Sequence, residues 1–105
     1  MIVEVLGPDD VRVVDVDDLT RLHLALGVVE AAEADAALRA AGLGRMDGPD
    51  DAVLDTAALR AAAQAQTRDA GWPDSWAGML RYAEQHGWSV EDGAGIRVHV
   101  ESAAG

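Results

Sequence analysis

The chain has 105 residues, with 19 acidic side chains against eight basic ones, for a formal net charge of −11. All eight basic residues are arginine, and cysteine is absent, which excludes a disulfide framework, a thiolate-ligated metal and a thiol nucleophile. The negative charge disfavours nucleic acid and anionic membranes as partners. At this length one domain is the default, so we expect a single α+β domain over residues 1–105.

No stretch of the sequence reaches the roughly 18 apolar residues that a membrane-spanning helix needs. Residues 1–4 also lack the basic and apolar regions that begin a secretory signal. We therefore expect a soluble, cytoplasmic protein with no membrane partner. The alanine-rich, lysine-free composition has two explanations, a GC-rich genome of the actinobacterial kind or a salt-adapted archaeal one, and neither bears on mechanism.

Local patterns predict two hairpins, four short helices and one very short strand. Runs of β-branched or alternating residues beside turn-forming residues indicate the hairpins, and apolar residues at helical spacing indicate the helices. In chain order these are a hairpin over 2–6 and 11–16, helices over 18–26 and 30–41, a strand over 52–54, helices over 55–67 and 76–86, and a hairpin over 89–90 and 96–101. Residues 45–51 are predicted as a polar loop and 102–105 as a frayed end.

Two of the predicted helices depend on particular residues. Leucines at helical spacing, Leu19, Leu22 and Leu26, indicate the first helix. Gly42 should end the second helix in a left-handed conformation, with Leu43 folding back onto the last turn.

The element order ββ-αα-β-αα-ββ predicts an α+β fold. We expect a small antiparallel sheet, made from the N-terminal hairpin and the C-terminal hairpin, packed against about four short helices. In the last strand apolar side chains should face the core and polar ones solvent: Ile96, Val98 and Val100 against Arg97, His99 and Glu101.

Aspartates cluster around Gly48-Pro49 and could offer oxygens to a calcium ion, but their spacing does not match an EF-hand. They are Asp47, Asp50, Asp51 and Asp55. A solvated loop that ends in a helix cap is the simpler interpretation.

The three histidines, His23, His86 and His99, form no pair with metal-ligand spacing. His99 and Glu101 share one face of a strand, but a zinc site there needs a third ligand from elsewhere. We therefore predict no metal and no cofactor. None of the serines lies in a nucleophile motif, so we predict no catalytic residue and do not favour an enzyme.

The aromatic residues are concentrated on and around one predicted helix, at Trp72, Trp76, Tyr82 and Trp88. The simpler interpretation is that they attach this helix to the sheet as core residues. If Trp88 belongs to the core, Trp88→Ala should cost about 3–5 kcal/mol. Alternatively, one or two are exposed and form a ligand pocket or a binding hot spot. The candidate ligand- or partner-binding residues are Trp72, Trp76, Arg81, Tyr82, His86, Arg97 and His99.

The run over residues 76–88, followed by Glu91-Asp92-Gly93 and the strand 96–101, resembles small uncharacterised actinobacterial proteins, a resemblance that implies no activity and no site. A helix followed by a two-stranded β element also resembles the end of a winged helix-turn-helix. Because the helix carries only Arg81 as a basic residue, that resemblance implies a protein-binding wing rather than a DNA reader.

Three classes of function are compatible with these features. The first, which we favour, is a small interaction or accessory protein that acts through protein–protein contacts, as a homodimer or as a partner subunit, because unpaired sheet edges and clustered aromatics invite pairing. The second is a small-molecule-binding or enzymatic domain with a pocket near the C-terminal tryptophans, arginines and histidines. The third is an acidic regulator or nucleic-acid mimic, which only the charge supports.

Overall fold

The computed structural model describes residues 1–103 and shows a mixed seven-stranded sheet, curled into a half-barrel, with three α-helices. The strands are β1 (Ile2–Gly7), β2 (Asp10–Val14), β3 (His23–Leu26), β4 (Gly44–Met46), β5 (Asp51–Asp55), β6 (Ser89–Val90) and β7 (Gly95–Ser102). The helices are α1 (Ala31–Ala41), α2 (Thr56–Gln64) and α3 (Trp72–Gln85). The α+β class is confirmed, but the small antiparallel sheet and the four helices are wrong.

The sheet order is β2-β1-β3-β7-β5-β4, and β6 pairs with β7 outside this path. The β1–β3 and β3–β7 pairs are parallel, and the other pairs are antiparallel. Both predicted hairpins are present. The C-terminal one, however, is not a projecting wing, because β7 lies in the middle of the sheet and pairs with three strands. The resemblance to a winged helix-turn-helix therefore does not extend to the fold.

The helix predicted over residues 18–26 is wrong. Residues 23–26 form β3 instead, which pairs in parallel with β1 on one side and β7 on the other. A helix of nine residues is marginal on its own, whereas a strand between two neighbours finds its backbone partners in them. The carboxylate of Asp18 accepts hydrogen bonds from the N–H and the hydroxyl of Thr20 (3.2 and 2.6 Å), so it closes a turn before β3.

Helix α1 is confirmed, and so is its C-terminal ending. Gly42 adopts a left-handed conformation with φ of 71°, and the N–H of Leu43 donates to the carbonyl of Leu38 at 3.0 Å. At the other end, the side chain of Glu33 accepts a hydrogen bond from the N–H of Glu30 (3.2 Å). Because every partner in these caps lies within a few residues in sequence, local sequence predicts them well.

The loop predicted over residues 45–51 is wrong at both ends, where β4 and β5 form an antiparallel pair. Gly44 permits this pairing, because a Cβ at its φ of 150° would overlap the carbonyl oxygen of Val53. Asp35 then connects α1 to β4, accepting hydrogen bonds from Nε of Arg39 (2.8 Å) and from the N–H of Met46 (2.9 Å). These two bonds hold the pKa of Asp35 below its ordinary value.

Helix α2 begins as predicted, with the carboxylate of Asp55 accepting the N–H of Ala58 at 2.8 Å, but it ends at Gln64 rather than near residue 67. Helix α3 begins four residues earlier than predicted. Pro73 lies in its first turn, where a missing N–H costs nothing, so the proline is compatible with the earlier start of this helix. Strand β7 continues through Ser102, where the predicted frayed end is wrong; the last two residues of that prediction lie outside the described part of the chain.

The core draws side chains from the sheet and from all three helices. Its largest fully buried members are Trp72, Trp76, Met1, Leu24, Leu38, Leu54 and Leu59. The rings of Trp72 and Trp76 stack with centroids 5.3 Å apart, and Nε1 of Trp72 donates to the carbonyl of Val16 at 2.8 Å. Across residues 1–103, no helix combines the length and hydrophobicity required to cross a membrane.

Candidate functional site

A gap between two neighbours of β7 opens one side of the sheet. Near its start β7 pairs with β6, and the ladder continues as far as the hydrogen bond from the N–H of Arg97 to the carbonyl of Trp88 (2.7 Å). On the same edge, pairing resumes with β3 only at Val100. Between Arg97 and Val100, β7 therefore has no neighbouring strand on this edge among residues 1–103, and it pairs only with β5 on its other edge.

This gap forms part of a cleft of about 820 Å³, bounded by β7, α3 and the segment before β3. Its apolar lining comprises Leu19, Leu22, Met79, Ala83, Ile96 and Val98, and its polar lining comprises Asp17, Thr20, Arg21, Asp51, Ser75, Arg97 and His99, with Tyr82 and Trp88 beside them. The volume lies within the range of about 300–1,000 Å³ that is common for ligand sites. An apolar lining with a few polar groups can hold a small molecule or a side chain of a partner.

Three rings near the C-terminal end of α3 form what we call the aromatic patch: Tyr82, His86 and Trp88. Tyr82 stacks on His86 with centroids 4.0 Å apart, and Trp88 lies 4.8 Å from His86 and 5.7 Å from Tyr82. Tyr82 is 54% exposed and Trp88 is 43% exposed. Two of these rings, Tyr82 and Trp88, also line the cleft, so the patch and the cleft form one continuous surface.

The structure divides the predicted site residues into four groups. Trp72 and Trp76 are buried, so for them the core interpretation is right. Tyr82 and His86 belong to the aromatic patch, and Arg97 and His99 line the cleft with Tyr82. Arg81 is exposed on α3 and is not part of the cleft lining.

Sequence reasoning missed Trp88 and Arg21 as site residues. Trp88 is half-exposed rather than part of the core, so the large destabilisation predicted for a core tryptophan does not apply to it. Arg21 was placed in a helix that does not form. The sequence offers two signals for Trp88, its membership of the aromatic group and its position just after Gly87, and neither distinguishes a buried ring from an exposed one.

The aspartate-rich segment takes part in structural contacts. Asp47 forms an ion pair with Arg97 at the edge of the cleft, and its N–H donates to the carbonyl of Asp51 at 2.8 Å. Asp55 caps α2. Nearby, Arg45 pairs with Glu91 at 2.7 Å. These contacts fix the orientation of Arg97 and join the aspartate-rich segment to β7.

A cluster of titratable groups lies at the β3–β7 junction, next to the cleft. His23 stacks beside His99 with ring centroids 5.7 Å apart, and both rings contact the carboxylate of Glu101. The hydrogen bond from His99, together with the charge of His23, lowers the pKa of Glu101. His99 and Glu101 share a strand face as predicted. The contact of His23 with them was not predicted, because His23 lies in the segment 18–26 that the sequence indicates as a helix.

A smaller pocket of about 420 Å³ lies where α2 meets α3, and Thr56, Arg60, Trp76 and Leu80 are among its lining residues. Nε1 of Trp76 and Oγ1 of Thr56 are both buried, and neither has a hydrogen-bond partner among residues 1–103. A buried donor without a partner is costly, so this part of the core is less well satisfied than the region around Trp72.

Comparisons of the chain with protein-family models, with curated proteins and with solved structures find no match. Function must therefore be inferred from the cleft, the aromatic patch and the charge of the chain.

Proposed function

We propose that the protein is a small accessory protein that acts in the cytoplasm by binding a partner protein through the cleft and the aromatic patch. The observation that carries this proposal is the exposure of Tyr82 and Trp88 beside an apolar cleft. Tyrosine, tryptophan and arginine dominate binding energy in protein interfaces. The cytoplasmic assignment is supported by the absence of cysteine, which fits a reducing compartment.

Charge favours a different protein over a second copy of this chain. Each copy carries a formal charge of −11, so two copies repel one another at long range, whereas a basic partner is attracted. In the cleft itself Asp51 and Asp17 present carboxylates to basic groups, with Asp17 also accepting a hydrogen bond from the hydroxyl of Thr67, while Arg97 is already paired with Asp47. The partner we propose inserts a large apolar side chain into the cleft and flanks it with lysine or arginine.

A displayed library of random peptides, selected on the immobilised protein, tests this proposal. We expect enrichment of peptides with a large apolar residue flanked by basic ones, and binding that weakens as salt rises. Trp88→Ala should weaken the selected peptides by about tenfold or more, as loss of a hot spot does. Val28→Ser is the matched control, because Val28 is a fully exposed apolar residue outside the cleft lining.

Two results would contradict the proposal: selections without sequence enrichment, or selected peptides that bind Trp88→Ala as tightly as the wild type. Light scattering adds a separate check, since a stable dimer at micromolar concentration would favour self-association instead.

The second candidate function is binding of a small molecule in the same cleft, and the observation that favours it is the volume of about 820 Å³. Arg21 and His99, which both line the cleft, would then orient an anionic or polar ligand. Titration of the Trp88 fluorescence with a metabolite panel tests this alternative, with Trp88→Phe as the control that identifies the responding ring. If the protein is instead an acidic mimic, it should bind a basic nucleic-acid-binding protein in a salt-sensitive way that Trp88→Ala leaves unchanged.

A further inference from the structure

Two histidines and a glutamate meet where β3 and β7 pair in parallel. Leu24 registers with Val100, so the residues that precede them, His23 and His99, lie side by side on the opposite face. Glu101 follows two residues after His99 and therefore shares its face. Nε2 of His23 lies 3.0 Å from one oxygen of Glu101, and Nε2 of His99 lies 3.2 Å from the other.

A second contact fixes the tautomer of His23. Its Nδ1 lies 2.7 Å from the carbonyl oxygen of Arg21, and because a carbonyl only accepts, Nδ1 carries the proton. In the neutral ring, Nε2 then directs a lone pair at the carboxylate of Glu101. Two such groups repel at 3.0 Å unless a cation lies between them, either a proton or a metal ion. A hydrogen bond from Nδ1 to a backbone carbonyl is also the contact that commonly orients metal-binding histidines.

We propose that His23, His99 and Glu101 bind a divalent transition-metal ion, with zinc the ion that their chemistry favours. Two imidazole nitrogens and a carboxylate form a three-ligand set that leaves a fourth position for water. Imidazole suits zinc, whereas calcium and magnesium require oxygen ligands. Bonds of about 2.0–2.2 Å to a tetrahedral ion place neighbouring ligand atoms about 3.3 Å apart. The nitrogen–oxygen distances of 3.0 and 3.2 Å are close to that spacing, but they reach different oxygens of Glu101, and the two imidazole rings are stacked with centroids 5.7 Å apart.

Binding requires the side chains of Glu101 and His99 to move. As the side chains stand, the carboxylate fills the space between the imidazoles, and no three histidine or acidic side chains in residues 1–103 surround a common ion position. The side chain of Glu101 is 49% exposed near the end of β7, so it can rotate without displacing the strand. The side chain of His99 is 61% exposed and can follow it, while that of His23 is only 13% exposed and remains fixed by Arg21.

The test is a zinc titration of tag-free protein, by calorimetry and by competition with a chromogenic chelator. We expect one zinc ion per chain and no competition from calcium at the same concentration. His99→Ala and Glu101→Gln should each weaken zinc binding by about tenfold or more, since each removes or weakens a ligand. His86→Ala is the matched control, because it removes a surface histidine outside the cluster, and it should bind zinc like the wild type.

His23→Gln removes the third ligand. Because the side chain of His23 is mostly buried, the folding of this variant must first be checked by circular dichroism. The double variant His99→Ala/Glu101→Gln changes only exposed side chains and decides the matter if His23→Gln fails to fold. The proposal is overturned if the wild type shows no saturable zinc binding, or if the double variant binds as tightly as the wild type. Trp88→Ala should leave zinc binding unchanged, because Trp88 does not belong to the cluster, so loss of peptide binding and loss of zinc binding can be told apart although His99 also lines the cleft.

Discussion

Two buried tryptophans with opposite hydrogen-bonding states allow a direct test of how this core is stabilised. Nε1 of Trp72 donates to the carbonyl of Val16, whereas Nε1 of Trp76 is buried without a partner among residues 1–103. Both rings are 1% exposed, and they stack on one another. Trp72→Phe and Trp76→Phe therefore remove the same volume from the same stacked pair, and they differ mainly in the hydrogen bond.

The expected magnitudes are different for the two variants. At about 24 cal/mol per Å³ of residual cavity, the smaller phenyl ring costs each variant about 1 kcal/mol. In Trp72→Phe the carbonyl of Val16 also loses its donor, which adds about 1–3 kcal/mol. Trp76→Phe removes an unpaired buried N–H, which stabilises the folded state by about 1–3 kcal/mol. We expect Trp72→Phe to destabilise by about 2–4 kcal/mol, and Trp76→Phe to range from neutral to about 2 kcal/mol more stable.

Urea denaturation followed by far-ultraviolet circular dichroism measures both variants, because fluorescence would change with the number of tryptophans. Thermal unfolding followed by the same signal should give midpoint temperatures that differ by about 8 °C or more, since about 1 kcal/mol corresponds to about 4–8 °C in a domain of this size. If the two variants lose the same free energy of unfolding to within about 0.5 kcal/mol, the two indoles are equally satisfied. The difference that we infer between the hydrogen bonding of Trp72 and that of Trp76 would then be refuted.

Three further predictions concern an exposed ring, an ion pair and a glycine. Trp88→Ala should lower the free energy of unfolding by about 1 kcal/mol, well below the loss for a core tryptophan, because the ring is half-exposed. Asp35→Asn should destabilise by about 1 kcal/mol at pH 7, and this difference should shrink as the pH falls below about 4. Gly44→Ala should cost more than about 3 kcal/mol, because the new Cβ would overlap a backbone oxygen of the next strand. Gly48→Ala, which meets nothing within 4 Å, should cost only about 1 kcal/mol.

The sign of the Asp35 prediction follows from proton linkage. The pKa of its carboxyl is lower in the folded chain than in the unfolded one, chiefly through the hydrogen bond from Arg39. Its contribution to stability is therefore complete above the unfolded pKa and is lost as the pH falls through the folded pKa. Urea denaturation of wild type and variant at several pH values measures it. A difference that grows on acidification would contradict the role given to Asp35. Equal costs for the two glycine variants would contradict the overlap predicted at Gly44. A loss above about 3 kcal/mol for Trp88→Ala would show that this ring belongs to the core.

Elements whose partners lie nearby in sequence could be predicted from the sequence. The N-terminal hairpin, the Gly42 ending of α1 and the Asp55 cap of α2 all depend on residues a few positions apart. Strand β3 could not be predicted in this way. Its four residues are apolar enough for a helix or a strand, and the choice is made by β1 and β7, which are distant in sequence. Strand β4 is three residues long and carries no alternation to detect.

The candidate site follows the same division. Tyr82 and His86 could be predicted because a single helix and the turn after it bring them together. Arg97 and His99 could be named from the alternation of β7, but their place in a cleft depends on the gap between β6 and β3. The contact of His23 with His99 depends on a parallel strand pair, which no local pattern specifies.

The central position of β7 also determines when this sheet can be completed during protein synthesis. β7 is the last of the seven strands to leave the ribosome, yet it is the neighbour that β3 and β5 share. Until it emerges, both of those strands present unpaired backbone edges, which are prone to pair with other chains. Because the contacts that close the sheet span almost the entire described chain, we expect slow folding in which the sheet is completed only after β7 has been translated.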